Sequence, residues 1–187
     1  MKKLLFILTG FVLTFSQSAE AQYENGDVLV NVGLGLGSYY VTGSGFSTTL
    51  PPLEAGVEFF VADKFTVGGF IGAYGAKYEV DSDFADFETK YNFFNIGALG
   101  NYHFVNTDQW NVYAGARLGY VNSKIKVEDE NEIYEEDELF DKSGAKSSGV
   151  LFGIQGGARY HFSESISANA ELAWGVAVFK LGLTFKL

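Results

Sequence analysis

The chain has 187 residues, of which 47% are hydrophobic and 17% aromatic, and its formal net charge is −10. Such an acidic chain is poorly suited to bind nucleic acid or to make a polybasic contact with anionic lipid, because like charges repel. Cysteine is absent, which excludes disulfides and a lipoprotein anchor.

The N-terminus has the pattern of a secretory signal peptide. Two lysines precede an apolar run over residues 4–15, and residues 19–21 (Ala-Glu-Ala) fit the small-x-small cleavage rule. The sequence therefore predicts a cleaved signal over residues 1–21 and a single mature domain over residues 22–187. An uncleaved anchor is the alternative, but the apolar run is well short of the ~20 residues that a spanning helix needs.

The rest of the chain contains eight segments in which apolar and polar residues alternate. A period of two is typical of a β-strand with one apolar face. The first segment covers residues 27–37, and Pro51-Pro52 opens the second. The predicted apolar faces, taken at every second residue, cover residues 28–36, 55–61, 65–73, 94–104, 112–120, 150–162, 166–174 and 179–187.

The connections between these segments alternate in length. Long polar loops are predicted at residues 38–49, 76–89 and 122–148, and short turns separate the other pairs. Outer-membrane barrels show this asymmetry, with short periplasmic turns and longer surface loops. We therefore predict an all-β fold, an eight-stranded antiparallel up-and-down transmembrane β-barrel, with both termini in the periplasm. Closure of the barrel removes the strand edges that lipid cannot hydrogen-bond.

Alternation alone also fits a soluble barrel such as a lipocalin, in which the apolar face points inward. A membrane barrel, whose apolar face points outward, is favoured by an apolar face nearly free of charge, by the export signal and by an apolar closing strand. The polar face mixes glycine with balanced charges, namely Glu54, Glu58, Arg117, Arg159, Glu171 and Lys180. Because eight strands leave little room inside, we predict a structural ion-pair network in the lumen rather than a gated conduit.

Aromatic residues recur where the even-numbered strands end. Tyr-His-Phe occurs at residues 102–104 and again at 160–162, and Phe-Phe-Val occurs at 59–61. Ordinary aromatic enrichment in strands is the alternative explanation. The recurrence at one strand end favours an interface girdle made of Phe59, Tyr102, Phe104, Tyr160 and Phe162.

Three sequence patterns resemble the OmpA/OmpX-type outer-membrane β-barrel domain family, in its Bacteroidetes version. They are the Tyr-His-Phe strand ends, residues 112–116 (Val-Tyr-Ala-Gly-Ala) with 118–120 (Leu-Gly-Tyr), and residues 181–185 (Leu-Gly-Leu-Thr-Phe). The resemblance covers residues 26–187 and implies a place in the outer membrane of a Gram-negative cell envelope. It also implies that the barrel-assembly machinery recognises the last strand, here Phe179, Leu181, Leu183, Phe185 and Leu187. The family more often ends in an aromatic residue than in leucine.

The sequence leaves several functions open. We expect a small non-enzymatic barrel with a side-chain-filled lumen and acidic surface loops, acting in envelope integrity or in surface interaction and adhesion. Porin-like transport of small or apolar solutes is the alternative, and a lipid A-modifying enzyme is a third candidate. An enzyme would need a general base, but the two histidines, His103 and His161, have no motif partner.

We expect no cofactor and no metal. Binding of Ca²⁺ or another hard cation by the acidic third loop is the alternative, but this loop lacks the spacing of an EF-hand, so a solvated run of charge is favoured. The expected partners are outer-membrane lipid and lipopolysaccharide, the barrel-assembly machinery during insertion, and a surface partner at the loops. We expect the barrel to be a monomer.

Overall fold

The computed structural model describes residues 23–38, 45–82, 85–129, 146–174 and 177–187, and the predicted signal segment lies outside these ranges. Eight strands follow one another: β1 (Val28–Leu36), β2 (Phe46–Ala62), β3 (Phe65–Ser82), β4 (Ala85–Asn106), β5 (Trp110–Asp129), β6 (Lys146–His161), β7 (Ile166–Ala173) and β8 (Phe179–Lys186). Each pairs antiparallel with its neighbours in the chain, and β8 pairs with β1 to close a barrel. The predicted fold class is confirmed. Among the described residues, no helix is long and apolar enough to cross a membrane.

The apolar face of the strands points outward and the polar face points inward. Phe152 and Ile154 on β6 are 71% and 67% exposed, whereas Arg117 and Arg159 are 2% and 1% exposed. A soluble barrel would place these side chains the other way round, because water solvates charge and excludes hydrocarbon. The arrangement is that of a membrane barrel.

The closing strand pairs with the first strand over its whole length. Val32 lies opposite Leu183, and Leu34 lies opposite Leu181. Because both partners of each pair face outward, the seam presents to lipid the same apolar surface as the rest of the wall. The alternation in residues 179–187 therefore belongs to a strand that completes the barrel.

The height of the lipid-facing band can be measured on β4. Outward-facing apolar or small residues occupy every second position from Phe94 to Phe104, while Asn92 and Asn106 lie beyond the two ends. Ten residue steps of about 3.4 Å, tilted by about 40°, span about 26 Å. This height matches the apolar band of about 25 Å that outer-membrane barrels present to lipid.

The predicted bounds of the three long loops are wrong. Strand β2 already begins at Phe46. Strand β3 ends only at Ser82, and β4 begins at Ala85. Strand β5 extends to Asp129, and β6 begins at Lys146. Of the predicted loop residues that no strand includes, the structure describes 38 and 45, and residues 39–44, 83–84 and 130–145 lie outside the described residues. The polar composition suggested a loop, but most of the other residues pair their backbones in register across neighbouring strands.

The apolar face changes sides where β3, β4 and β5 leave the lipid-facing band. On β3 the apolar side chains face outward up to Ala73, but Tyr74 and Ala76 are buried on the inward side, where Phe93 of β4 packs against them. We call residues 74–82, 85–93 and 121–129 of these strands the ribbon. Polar residues turn outward in the ribbon because water replaces lipid as the surrounding solvent.

The two prolines lie within β2 instead of opening it, so that prediction is also wrong. The pairing of β2 with β3 is irregular around them, with register shifts between Thr48 and Leu50 and between Leu50 and Leu53. Proline has no backbone N–H to donate, so a strand accepts it where the ladder is already interrupted.

Candidate functional site

The barrel interior contains the six predicted charges, and the structure brings them together in two clusters. The upper cluster, nearer the ribbon, consists of Glu54, Arg117, Glu171 and Lys180. Arg117 Nη1 and Nη2 donate to Glu54 Oε2 and Oε1, each at 2.9 Å. Two parallel charge-assisted bonds fix the guanidinium plane against the carboxylate, which a lysine could not do.

Lys180 and Glu171 complete the upper cluster from β8 and β7. Lys180 Nζ lies 2.6 Å from Glu171 Oε1 and also pairs with Glu54. Arg117 Nη2 lies 3.4 Å from Glu171 Oε1. Two carboxylates and two cations thus neutralise each other, which lowers the cost of holding four charges away from water.

The lower cluster, nearer the short turns, centres on the ion pair of Arg159 with Glu58. Thr66 Oγ1 donates to Glu58 Oε2 at 2.7 Å, and Asn101 Nδ2 donates to the same oxygen at 2.8 Å. Asn31 Nδ2 donates to Glu58 Oε1 at 2.8 Å. This carboxylate therefore accepts bonds from four side chains, a density that stabilises its buried negative charge.

Uncharged side chains join the two clusters. Arg117 Nε donates to Gln155 Oε1 at 2.8 Å, and Gln155 Nε2 donates to Asn101 Oδ1 at 2.7 Å. The Tyr113 hydroxyl donates to Glu171 Oε2 at 2.7 Å, while the guanidinium of Arg159 lies 4.2 Å from the centre of the Tyr113 ring. These linking residues were not predicted, although the alternation places them on the inward face.

The interior is almost filled at the level of the clusters. A cavity lined by residues of both clusters measures about 30 Å³, which holds about one or two water molecules. Cross-linked charges around so small a space hold the wall strands together. Within the described residues, no group of three or more His, Asp or Glu side chains is arranged to hold a metal ion.

Tyr23 closes the interior at the end of the short turns. It is 1% exposed, and its ring centre lies 5.3 Å from that of Phe60 and 4.9 Å from that of His161. Its hydroxyl lies 3.1 Å from Ser167 Oγ, and Asn106 Nδ2 donates to its carbonyl at 2.7 Å. Burial raises the pKa of the Tyr23 phenol, so the hydroxyl stays protonated at neutral pH. Tyr23 was not predicted as a lumenal residue, because it precedes the first strand.

The five predicted girdle residues lie on the outer surface near the short turns. Tyr102 and Phe104 are in ring contact, with centres 5.0 Å apart, and Tyr160 and Phe162 are 5.5 Å apart. Phe59 is exposed on β2. Two residues absent from the prediction extend the group: Phe65 lies 4.9 Å from Tyr102, and Trp110 lies 4.9 Å from Tyr160.

The five residues of the predicted assembly strand lie on the outer face of β8 and at its end. Leu181, Leu183 and Leu187 are exposed, and Phe179 and Phe185 are half-buried. The backbone N–H of Leu187 donates to the carbonyl of Val28 at 2.9 Å. The apolar side chains of this strand are thus presented to lipid in one row.

Comparison with solved structures places this architecture among small outer-membrane barrels. OprG from Pseudomonas aeruginosa superposes with a TM-score of 0.56 at 14% identity, covering 90% of this chain and 99% of that chain. Ail of Yersinia pestis gives 0.51 at 9% identity, covering 87% and 95%. The N-terminal barrel domain of Pseudomonas aeruginosa OprF gives 0.50 at 16% identity, covering 88% and 100%. At such identities the likeness concerns the fold alone.

Comparison by sequence identifies the family. No curated protein sequence matches the chain. Residues 7–177 match the family model described as the outer membrane protein beta-barrel domain, which spans most of the chain. The outward apolar band and the closed ladder are what such a domain requires. The chain therefore belongs to the outer membrane protein beta-barrel domain family.

Proposed function

We propose that this protein is a non-enzymatic outer-membrane barrel that keeps its lumen closed and acts at the cell surface through the ribbon, in envelope integrity or in surface interaction. Both termini lie in the periplasm in this proposal, so the ribbon stands outside the cell. The observation that carries the proposal is the ribbon itself. About nine residues of each of three adjacent strands extend beyond the apolar band, which itself needs only about 9–11 residues per strand.

The barrel interior supports a closed lumen and argues against transport through it. Each cluster is neutral and cross-linked, and the cavity among the charges is only about 30 Å³. Tyr23 adds a second barrier at the end of the short turns. A solute would have to separate buried ion pairs to pass, and breaking such a pair costs about 3–5 kcal/mol.

The contacts of the two histidines support the absence of enzymatic activity. His103 Nδ1 lies 3.0 Å from Asn111 Oδ1 and its Nε2 lies 3.2 Å from Thr66 Oγ1. His161 is packed against Tyr23. Both rings lie inside the barrel, away from the lipid-facing surface where an acyl chain could approach, so they serve packing and hydrogen bonding.

Surface interaction also has a precedent in the fold. Ail is described as the attachment invasion locus protein of Yersinia pestis, and one of its structures contains a heparin analogue. That likeness alone transfers no ligand to this chain. The two proteins share the fold, and the ribbon of this chain supports a role at the surface.

Planar-bilayer recording tests the closed lumen. We expect the refolded protein to give no stable conductance steps. A variant in which all six lumenal charges and Tyr23 are replaced by alanine removes both clusters and the second barrier without changing the net charge. That variant should conduct if it retains the heat-modifiable gel shift, which shows that the assay detects an open lumen. Stable steps from the unmodified protein would overturn the proposal.

Complementation in cells tests the ribbon. A strain without its own copy of the gene would express either the full chain or a variant in which residues 79–88 are replaced by Asn-Gly. We expect the full chain, and not the shortened one, to restore detergent resistance or surface adherence. Equal restoration by both, at equal amounts in the outer membrane, would show that the ribbon is not the active part.

A further inference from the structure

The residues just before β1 fold back across the end of the short turns. The N–H of Gly26 donates to the carbonyl of Phe60 at 2.8 Å, and the N–H of Phe60 donates to the carbonyl of Asp27 at 2.9 Å. Gly26 has a φ of 100°, a conformation that glycine adopts at little cost. The chain therefore turns at Gly26 from the wall into the interior. We call residues 23–27 the latch.

The latch places Tyr23 in a pocket that the barrel builds from several strands. Phe60 of β2 and His161 of β6 contact its ring, and Ser167 Oγ of β7 lies 3.1 Å from its hydroxyl. Asn106 of β4 accepts a hydrogen bond from the backbone N–H of Tyr23 at 3.3 Å and donates one to its carbonyl at 2.7 Å. Aromatic walls with a hydroxyl partner at the far end match the shape and polarity of a phenol ring.

The walls of this pocket belong to strands that pair without the latch. His161 lies opposite Ser167 in the ladder, and Phe60 lies opposite Thr66. The barrel closes between β8 and β1, and no strand includes a residue before Val28. A short segment docked on such a frame opens at a lower free energy than the frame unfolds. We therefore expect the pocket to persist when the latch opens.

An ion pair fastens the latch to the closing strand. Lys186 Nζ of β8 lies 2.7 Å from Asp27 Oδ2 and 5.8 Å from the centre of the Tyr23 ring. The same Asp27 oxygen accepts the N–H of Glu24 at 2.8 Å. Both partners of the ion pair are partly exposed, so water weakens their attraction. Tyr23 is only 1% exposed, and burial of its ring is the main contribution that holds the latch closed.

We propose that the latch opens while the barrel stays folded, and that its pocket binds a phenol ring. Tyr23 supplies that ring when the latch is closed, and a small phenol takes its place when Tyr23 is absent. The walls define this class of ligand: a flat ring fits between Phe60 and His161, and its hydroxyl reaches Ser167. The inference goes beyond the proposed function and does not depend on it, because neither the ribbon nor the orientation in the membrane enters the argument.

A competing explanation is that Tyr23 is a permanent part of the barrel core. In that case the latch and the strands around it unfold together, and removal of the Tyr23 ring destroys the lower end of the barrel. The two explanations differ in what happens to Ser167, which is 1% exposed. An opening latch exposes it on a folded barrel, whereas a permanent core exposes it only on unfolding.

Thiol labelling separates these explanations. The chain has no cysteine, so Ser167→Cys introduces a single thiol beside the Tyr23 hydroxyl. In the refolded chain in neutral detergent, we expect a water-soluble maleimide to label this thiol slowly. Adding Tyr23→Ala should accelerate labelling on the order of tenfold, while the heat-modifiable gel shift persists. Loss of the gel shift or an unchanged labelling rate would overturn the proposal.

Two further variants in the Ser167→Cys background serve as controls. Tyr102→Ala removes a tyrosine from the outer face near the same end and should leave the labelling rate unchanged. Asp27→Asn removes the ion pair but keeps the Tyr23 ring and an oxygen for Glu24, so labelling should become about two- to fivefold faster. Equal acceleration by Tyr102→Ala and Tyr23→Ala would show a general loosening of this end and contradict the latch.

Binding of a phenol is tested with 4-methylphenol and with 4-methylanisole, whose methylated oxygen cannot donate a hydrogen bond. A ligand that binds only the folded protein raises the urea midpoint of unfolding. We expect 4-methylphenol to raise the midpoint of Tyr23→Ala, with Ser167 in place, and to leave the unmodified protein unchanged because its pocket is filled. 4-Methylanisole should bind several-fold more weakly. Equal shifts in the two proteins, or no shift in either, would overturn the proposal.

Discussion

Two walls of this barrel cross the same membrane with strands of very different length. Strands β1, β7 and β8 have 9, 8 and 8 residues, whereas β3, β4 and β5 have 18, 22 and 20. A tilted membrane strand needs about 9–11 residues. The short wall therefore contains little beyond the crossing itself, and the extra length of the other wall serves the space outside the lipid.

The solvent decides which face of a strand is apolar in the two regions. Inside the band, β4 presents Phe94 and Ile96 to lipid and Asn95 and Asn101 to the interior. In the ribbon, Lys90 faces outward, and Phe93 packs inward against Tyr74. The ladder continues without a register shift between β3 and β4. One continuous strand can thus satisfy two solvents by changing the residue type at alternate positions.

The largest expected effect comes from breaking the buried pair in the band. Arg159→Leu leaves Glu58 as an uncompensated charge among Thr66, Asn101 and Asn31. Loss of one partner of a buried pair costs about 3–5 kcal/mol. We expect a decrease of that size in the free energy of unfolding, measured by urea titration in lipid vesicles with the heat-modifiable gel shift as readout.

The double variant Glu58→Gln/Arg159→Met is the control for this prediction. Glutamine keeps a carbonyl oxygen for Thr66 and Asn101, and no net charge remains to be desolvated. We expect a smaller loss, about 1–2 kcal/mol, from the weaker hydrogen bonds. If the double variant were as unstable as Arg159→Leu, packing of the arginine and not its charge would stabilise this level of the barrel.

A smaller effect distinguishes the tight interior of the band from its open upper end. A Cβ added to Gly68 would collide with the carbonyl oxygen of Val57 and lie 2.9 Å from Glu58 Cα, whereas a Cβ on Gly149 would meet nothing within 4 Å. We expect Gly68→Ala to lower the free energy of unfolding by about 1–3 kcal/mol. Gly149→Ala should change it by about 0.5 kcal/mol or less. Equal effects in the same titration would contradict a difference in packing.

Much of the band could be predicted from the sequence because lipid imposes a strict rule. Every backbone group must be paired and every second side chain must be apolar, so the alternation from Phe94 to Phe104 or from Phe179 to Leu187 is hard to mistake. The same alternation places Glu54 and Arg117 on the inward face. Their partnership is not visible in the sequence, because it depends on strand tilt and stagger around the barrel.

The ribbon was not predicted because its signal resembles that of a loop. Residues 76–89 are rich in charge, and their apolar positions have switched to the opposite parity, so Tyr74, Ala76 and Tyr78 interrupt the pattern set by Phe65 to Ala73. Counting the two parities separately along the segment would have revealed a strand that changes solvent. The same switch occurs on β5, where Tyr120 faces outward and Ile125 occupies a position of the opposite parity.

Shortening the ribbon should have only a small effect on stability. Tyr78 and Thr89 are cross-strand partners, so an Asn-Gly turn can join them directly in place of residues 79–88, with the turn geometry that two-residue hairpins prefer. Because the band and both ion-pair clusters remain intact, the free energy of unfolding should change by about 1 kcal/mol or less, and the gel shift should persist. A loss near that of Arg159→Leu would mean that the ribbon and the band unfold as one unit. The two walls would then differ in length but not in their contribution to stability, and the extra length of β3, β4 and β5 would have a structural purpose.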